Sequence, residues 1–528
     1  MSRLLKWSKP SLTWLRPSLT WFDDHILEYL ALALLVFIPL YPKIPLADVL
    51  PGYIVRLRLD DLLVAFAFLI WCAWLIRGKV TLKGNPILIP MAAYLFVGLI
   101  SSLSAIFITK TVPQETVHVN KLFFHFARRI EYFSVFFVFF SSIKSLAQIK
   151  KYVYLAAIVL LLVSIYGFGQ KYLYWPAYST MNREFSKGIK LYLSAHARVL
   201  STFGGHYDLA AYLMMVLTLF IPLSMVVKKI WHKILFTLVS LAGFWLMILT
   251  VSRTSFIAYI FSITAVFAIL AFKKNWLWAF SRWFVVITIS IFIMLSFGEL
   301  SDRFEHIIKL NNLKTFATTP LKKEMPKGEG IAYLEVVSPK SDTPPTSQKP
   351  SQKPSDVYNE QPYYVNEGTT AVAIPRVYSQ AALQYDLSTS IRLDYTWPKA
   401  IEGFSKNPLL GSGFSTLTKA NVEDFTEAES TDNDFLRALG ETGLLGFLTF
   451  YGTLAFLIYL AIANISKIHD IFFATIVASI AAATLGLLIN AIYIDVFEAS
   501  KVAYVFWIMA AILAATIKLA SSPKSKTT

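Results

Sequence analysis

The sequence predicts an all-α, polytopic membrane protein of about twelve transmembrane helices, with one large extracytoplasmic loop between the ninth and the tenth. Three observations predict it. Of 528 residues, 56% are hydrophobic and the mean hydropathy is +0.55, against roughly 45–50% apolar residues in an ordinary soluble domain. Apolar runs of roughly 18 residues or more recur along most of the length, each long enough to cross a bilayer. The short alternating segments of a transmembrane barrel are absent.

The chain opens on a basic, aromatic segment, residues 1–23, in which PSLTW occurs twice, at Pro10–Trp14 and Pro17–Trp21. Arg3, Lys6, Lys9 and Arg16 accompany Trp7, Trp14 and Trp21, which suits an anionic membrane face. It lacks the cleavage pattern of a signal peptide and is read as retained. Residues 24–297 hold about nine spans, centred near Leu34, Phe68, Phe96, Phe137, Leu160, Val216, Leu241, Ile263 and Ile289. Residues 298–442 form the large loop, residues 443–520 hold about three spans centred near Tyr459, Thr484 and Ala510, and residues 521–528 are a tail. Arg77, Lys79, Lys144, Lys150, Lys228, Lys273 and Lys467 fall on the side of both termini, which the positive-inside rule makes cytoplasmic. The large loop then faces outward, with Tyr172–Gly205 and the turn around Arg253.

That loop is not uniform. Its Pro/Ser/Lys-rich stretch Pro339–Asp356 cannot bury a core, and residues 314–377 read as largely disordered, after a surface helix over Ser301–Leu313. Residues 378–442 read as folded amphipathic helices. Leu393, Trp397, Ile401 and Phe404 share one helical face, after which Pro408, Gly411 and Gly413 make a turn. Asp432, Asn433 and Asp434 then precede a short apolar helix that runs through Glu441 into the next span. A polar folded element set between membrane spans is where chemistry is expected.

The formal net charge of +16 comes from short connecting loops rather than from a basic domain, and no phosphate loop or RNA-binding signature accompanies it, so nucleic acid is excluded as a partner. Cys72 is alone, so there is no intrachain disulfide. None of the eight histidines forms a metal-ligand spacing with carboxylates, so no metal is expected.

Three arginines stand beside apolar sequence. Arg198 precedes a span, Arg253 sits in ILTVSRTSFIAYIF, and Arg392 begins the amphipathic stretch. A guanidinium fork suits phosphate oxygens, and the bland alternatives are snorkelling or solvation. Gly204, Gly205, His206 and Asp208 open the span after Arg198, which is either an anion-binding helix start with a titratable histidine or a plain turn. Asp432, Asp434 and Glu441 supply carboxylates that can cap a helix, accept a proton, or both, and the Asn433 side chain can cap.

These stretches resemble the O-antigen ligase/polymerase superfamily of bacterial envelope glycan enzymes. RVLSTFGGHYDLAAYL from Arg198 is similar to the family's Arg-x-x-Gly-Thr-Phe-Gly-Asn segment and following span. LTVSRTSFIAY is similar to its Leu-Thr-x-Ser-Arg-Gly span end. Trp397 to Phe414 resembles its Trp-x-x-Ala then Pro-Leu-x-Gly-x-Gly pattern, and DNDFLRALGETGLLG from Asp432 its His/Asp-Asn-x-Tyr-Leu and Glu-x-Gly-Leu-Leu-Gly. The likeness covers roughly Arg198–Gly446, and the N-terminal half fits by topology alone.

The resemblance implies glycosyl transfer on the outer face of the cytoplasmic membrane, from a polyprenyl-diphosphate-linked oligosaccharide to a glycan acceptor, without cofactor, metal or nucleotide sugar. It places the lipid bilayer and other polysaccharide-assembly membrane proteins among the partners. Arg198, Arg253 and Arg392 are then diphosphate ligands, and Trp397, Gly411, Gly413 and Asn433 shape the loop and acceptor region. Asp432 is the expected base, with His206 and Glu441 as further candidates. Ligases of the family have a histidine where Asp432 stands, and no histidine occurs between His306 and His469, which favours a polymerase of repeat units over a ligase. A lipid-linked glycan flippase is the reading of another class. The gathering of polar residues at one face, without repeated halves, favours the enzyme.

Overall fold

A computed structural model describes residues 16–49, 56–181, 185–194, 197–296, 363–367, 370–374, 389, 392–417 and 431–521. The first helices are α1 (Arg16–Leu40), α2 (Leu59–Ile76), α3 (Leu88–Phe107), α4 (Thr116–Ser142) and α5 (Leu146–Tyr172). The next four are α6 (His206–Val226), α7 (Ile230–Leu249), α8 (Arg253–Lys273) and α9 (Trp276–Ser296). After the large loop's helix α10 (Trp397–Lys406) come α11 (Asp434–Ile465), α12 (Ile471–Asn490) and α13 (Ser500–Ala520). Two antiparallel hairpins accompany them, β1 (Pro45–Asp48) with β2 (Arg56–Arg58) and β3 (Tyr363–Glu367) with β4 (Thr370–Ile374). The second hairpin lies within the stretch read as largely disordered; the expected helix at Ser301–Leu313 lies outside the described residues.

Every expected span centre falls inside a long helix. Among the described residues, ten helices are long and apolar enough to cross a membrane: α2, α3, α5 to α9 and α11 to α13. The other two are α1, which begins within the segment read as interfacial, and α4, which contains Lys121, Arg128, Arg129 and Glu131. The protein is a multi-pass helical membrane protein.

At the centre stand α6, α12 and α13, whose apolar windows are 89%, 83% and 83% buried, while α2 and α9 are 33% and 22% buried and form the rim. Small residues bring the central helices together. A Cβ added to Gly486 of α12 would meet Ser262 Oγ of α8 at 2.0 Å, so these backbones approach as only glycine permits. Short connections make neighbours antiparallel. Between α4 and α5, Ser145 Oγ accepts from Gln148 N at 3.3 Å and starts α5 with a capping box.

One end of the bundle collects the polar contacts. There the end of α1, the start of α6 and the start of α13 are joined through Lys501, whose ammonium donates to Pro39 O, Tyr41 O and Thr202 O. At the same end Asp434 N donates to Ala491 O, which ties the start of α11 to the end of α12.

Candidate active site at the polar end of the bundle

The large loop is locked to the membrane helices by backbone. After α10, Asn407 accepts from Leu410 N at 3.1 Å and donates to Ser104 Oγ of α3 at 3.2 Å. Gly411 (φ 70°) and Gly413 (φ 97°) make the expected turn, and Gly443 (φ 65°) kinks α11 where the turn meets it. Leu444 N donates to Pro408 O, Ser412 N to Gly440 O and Gly413 N to Glu441 O, at 2.9, 2.8 and 2.8 Å. A Cβ on Gly411 would lie 2.5 Å from the Glu441 carbonyl carbon, and one on Gly443 would lie 2.4 Å from that of Leu409. Both clashes are with backbone, and both positions need a left-handed φ. Gly443→Ala is therefore expected to cost more than about 1 kcal/mol. A lower thermal midpoint and faster proteolysis between 407 and 443 are the readouts.

The expected apolar stripe of α10 is placed differently from a core face. Leu393 and Ile401 are exposed, Trp397 and Phe404 are half-buried, and the buried residues of α10 are Ala400 and Gly403. The reason is close approach. A Cβ on Gly440 of α11 would lie 2.8 Å from Ala400 O, so small residues must face the bundle. The larger ones turn outward, continuous with exposed Leu409, Leu444 and Leu445.

Beneath this lock lies a buried ionic layer. Glu441, 3% exposed, accepts from Ser415 N at 3.0 Å and from Arg437 Nε at 3.3 Å, and lies 3.8 Å from Arg129 of α4. Arg129 also donates to Glu498 at 2.7 Å, and Arg437 to Asp495 at 2.9 Å. Glu498 and Asp495 lie in the α12–α13 connection. Burial pushes the Glu498 carboxyl up, but Arg129 and Arg437 outweigh it and hold the carboxyl below its ordinary value. A cavity of about 30 Å³, room for about one water, is lined by Tyr94, Arg129, Asp434, Glu441, Tyr451 and Glu498 among others. Glu441 thus sits in the packed layer, away from open solvent.

Asp432 lies above that layer. Asn433, not Asp432, caps α11, its Oδ1 accepting from Leu436 N at 2.9 Å. Asp495 holds both neighbours of Asp432, accepting from Thr431 N at 3.0 Å and Asn433 N at 2.8 Å. Between these anchors Asp432 adopts φ 50°, with its side chain 37% exposed and 3.1 Å from Arg392. Arg392 also donates to Tyr493 O at 3.4 Å and lies over the Tyr493 ring, which Trp397 approaches at 6.3 Å between centroids. The result is a half-open rim bearing one carboxylate and one guanidinium.

The other two arginines reach the same end. Val199 N donates to Leu249 O at 3.1 Å, which fixes Arg198 beside the turn before α8. Arg198 Nη1 is 2.8 Å from His206 Nε2 and donates to Tyr207 Oη at 3.3 Å. Arg253 begins α8, two residues before Ser255, whose hydroxyl donates to Asn490 Oδ1 at the end of α12 at 3.1 Å. Non-glycine residues with positive φ occur in each stretch: Ser201, Val251, Ser415 and Asp432. Such backbone persists where surroundings over-determine it, and Val251, being β-branched, is the costliest.

Sequence reasoning missed the partners Arg129, Arg437, Asp495 and Glu498. The available signal was ionisable residues in apolar surroundings, AIYIDVFEASKVAYVF for Asp495 and Glu498, and the i,i+4 pair Arg437–Glu441.

Residues 236–451 match the family model described as O-Antigen ligase. No curated protein matches the chain. The matched region includes Arg253, Arg392, Asp432 and Glu441, while Arg198 and His206 precede it. Over this region the chain is similar to the O-antigen ligase family.

Proposed function

We propose that the protein is a membrane glycosyltransferase that moves a polyprenyl-diphosphate-linked glycan to an acceptor sugar hydroxyl at the outer face of the cytoplasmic membrane. The observation that carries this reading is Asp432, a half-exposed carboxylate in a left-handed backbone, 3.1 Å from Arg392, inside the family-matched region.

In this reading the acceptor oxygen attacks the anomeric carbon and forms the new C–O bond. The bond from that carbon to the diphosphate oxygen breaks, and its electron pair leaves with the polyprenyl diphosphate. The hydroxyl proton passes to Asp432. Arginines stabilise the charge that develops on the leaving group, which is where electrostatic catalysis contributes most. Arg392 serves twice: drawn onto the diphosphate, it releases Asp432 from its ion pair, and a carboxylate without a cation beside it is the stronger base. Arg253 and Arg198 complete the phosphate contacts, and Glu441 holds the loop in place.

A polymerase of lipid-linked repeat units fits better than a ligase, because an aspartate stands at 432 where the family's ligases have histidine. The test uses purified protein in liposomes with a polyprenyl-diphosphate oligosaccharide. A ladder of longer lipid-linked glycans is expected, and product formed only with a separate acceptor would make it a ligase. Arg253→Lys is expected to lower turnover by about 10-fold or more, since a point ammonium cannot replace a bidentate fork. Full activity in that variant would remove Arg253 from the mechanism.

A further inference from the structure

The geometry points to His206 as a positioning residue that holds Arg198 through the unprotonated Nε2 of a neutral ring, rather than as a proton acceptor for the acceptor hydroxyl. A guanidinium has only N–H donors and no acceptor, and it keeps its charge in proteins. Arg198 Nη1 lies 2.8 Å from His206 Nε2. The bond exists only if Nε2 offers its lone pair, which puts the ring proton on Nδ1. A protonated ring would set a cation against Arg198.

Both partners are fixed from behind. The backbone beside Arg198 is tied to the α7–α8 turn by Val199 N and Leu249 O, 3.1 Å apart. Before His206, Gly204 O accepts from Thr180 N at 2.8 Å and from Ser179 Oγ at 3.1 Å. A Cβ on Gly204 would lie 2.2 Å from Thr180 Oγ1, so the two segments pack closely here. His206 is 7% exposed, and its ring contacts that of Tyr207, whose hydroxyl takes a second bond from Arg198 at 3.3 Å. His206 and Tyr207 together orient the guanidinium through Nη1 for the ligand that Arg198 would hold. That ligand is a diphosphate if the proposed function is right, and the inference about affinity rests on that reading.

Two measurements on the full-length protein separate the inference from that reading. Histidine-labelled protein in lipid nanodiscs is examined by nitrogen NMR at neutral pH, with the His206 signals identified by their loss in His206→Gln. The expected state is neutral, with the proton on Nδ1; a proton on Nε2 would overturn the positioning role. The second measurement is binding of polyprenyl diphosphate to His206→Gln, His206→Ala and His206→Lys. Gln offers an acceptor oxygen at similar reach and is expected to restore affinity to within about threefold of the native protein, while Ala weakens it about tenfold and Lys at least as much. Binding by His206→Lys as tight as by His206→Gln would make His206 a direct phosphate ligand and overturn the proposal. If the Nδ1–H ring is found but the native protein binds no polyprenyl diphosphate, the positioning of Arg198 stands and the diphosphate reading falls.

Discussion

Asp432→Asn is expected to lower glycan transfer by about 10²–10⁴-fold, the usual contribution of a positioned acid or base, with the fold intact. The separation of roles makes this a sharp test. Capping of α11 belongs to Asn433, and the buried ties of the segment belong to Asp495. The ion pair of Asp432 with Arg392 has one partner 37% exposed, and such pairs contribute about 0–1 kcal/mol. The thermal midpoint should therefore hardly move while transfer collapses. Asp432→Gly sharpens the contrast, because glycine relieves the φ of 50° and should leave the protein at least as stable and still inactive. Transfer and unfolding measured side by side decide it; a variant that keeps transfer, or that unfolds, would make Asp432 a structural residue.

The largest stability effect is expected from Arg437→Ala. Arg437 lies between Glu441 and Asp495, with Glu498 3.8 Å away, all inside the packed layer. Removing one cation of a buried ionic set leaves its carboxylates in excess, at a cost of about 3–5 kcal/mol. Function should fall with stability, since Asp495, which holds Thr431 and Asn433, would lose its ion pair with Arg437. Adding Glu441→Gln and Asp495→Asn to Arg437→Met should recover stability, because the surplus negative charge goes with the arginine, yet leave transfer low. A thermal midpoint unchanged in Arg437→Ala would contradict the ionic layer as described.

The membrane frame was legible because spanning a bilayer imposes length and apolarity on each helix separately, and all twelve centres fall in long helices. The Gly411–Gly413 turn and the cap before α11 were legible for the same reason, since both are set by local backbone chemistry. What could not be read was pairing across the fold. Asp495 and Glu498 lie 58 and 61 positions beyond Arg437, and Glu498 lies 369 beyond Arg129, and no periodicity links them. The outward turn of Leu393 and Ile401 escaped for a related reason. An amphipathic pattern says that one face is apolar, but not whether protein or lipid covers it, and Ala400 and Gly403 settled that by their size. His206 shows the reverse limit: its residue type suggested a base, and only its 2.8 Å approach to Arg198 gave it a different task.

The measurement that tests the central claim most directly is sided. The protein is inserted in one orientation in sealed vesicles containing a polyprenyl-diphosphate oligosaccharide, and a membrane-impermeant acceptor glycan is offered on one face at a time. Transfer is predicted only when the acceptor meets the face that carries residues 431–446, with the donor in the same leaflet. No product on that face, together with movement of the lipid-linked glycan between leaflets, would contradict the account and make the protein a transporter.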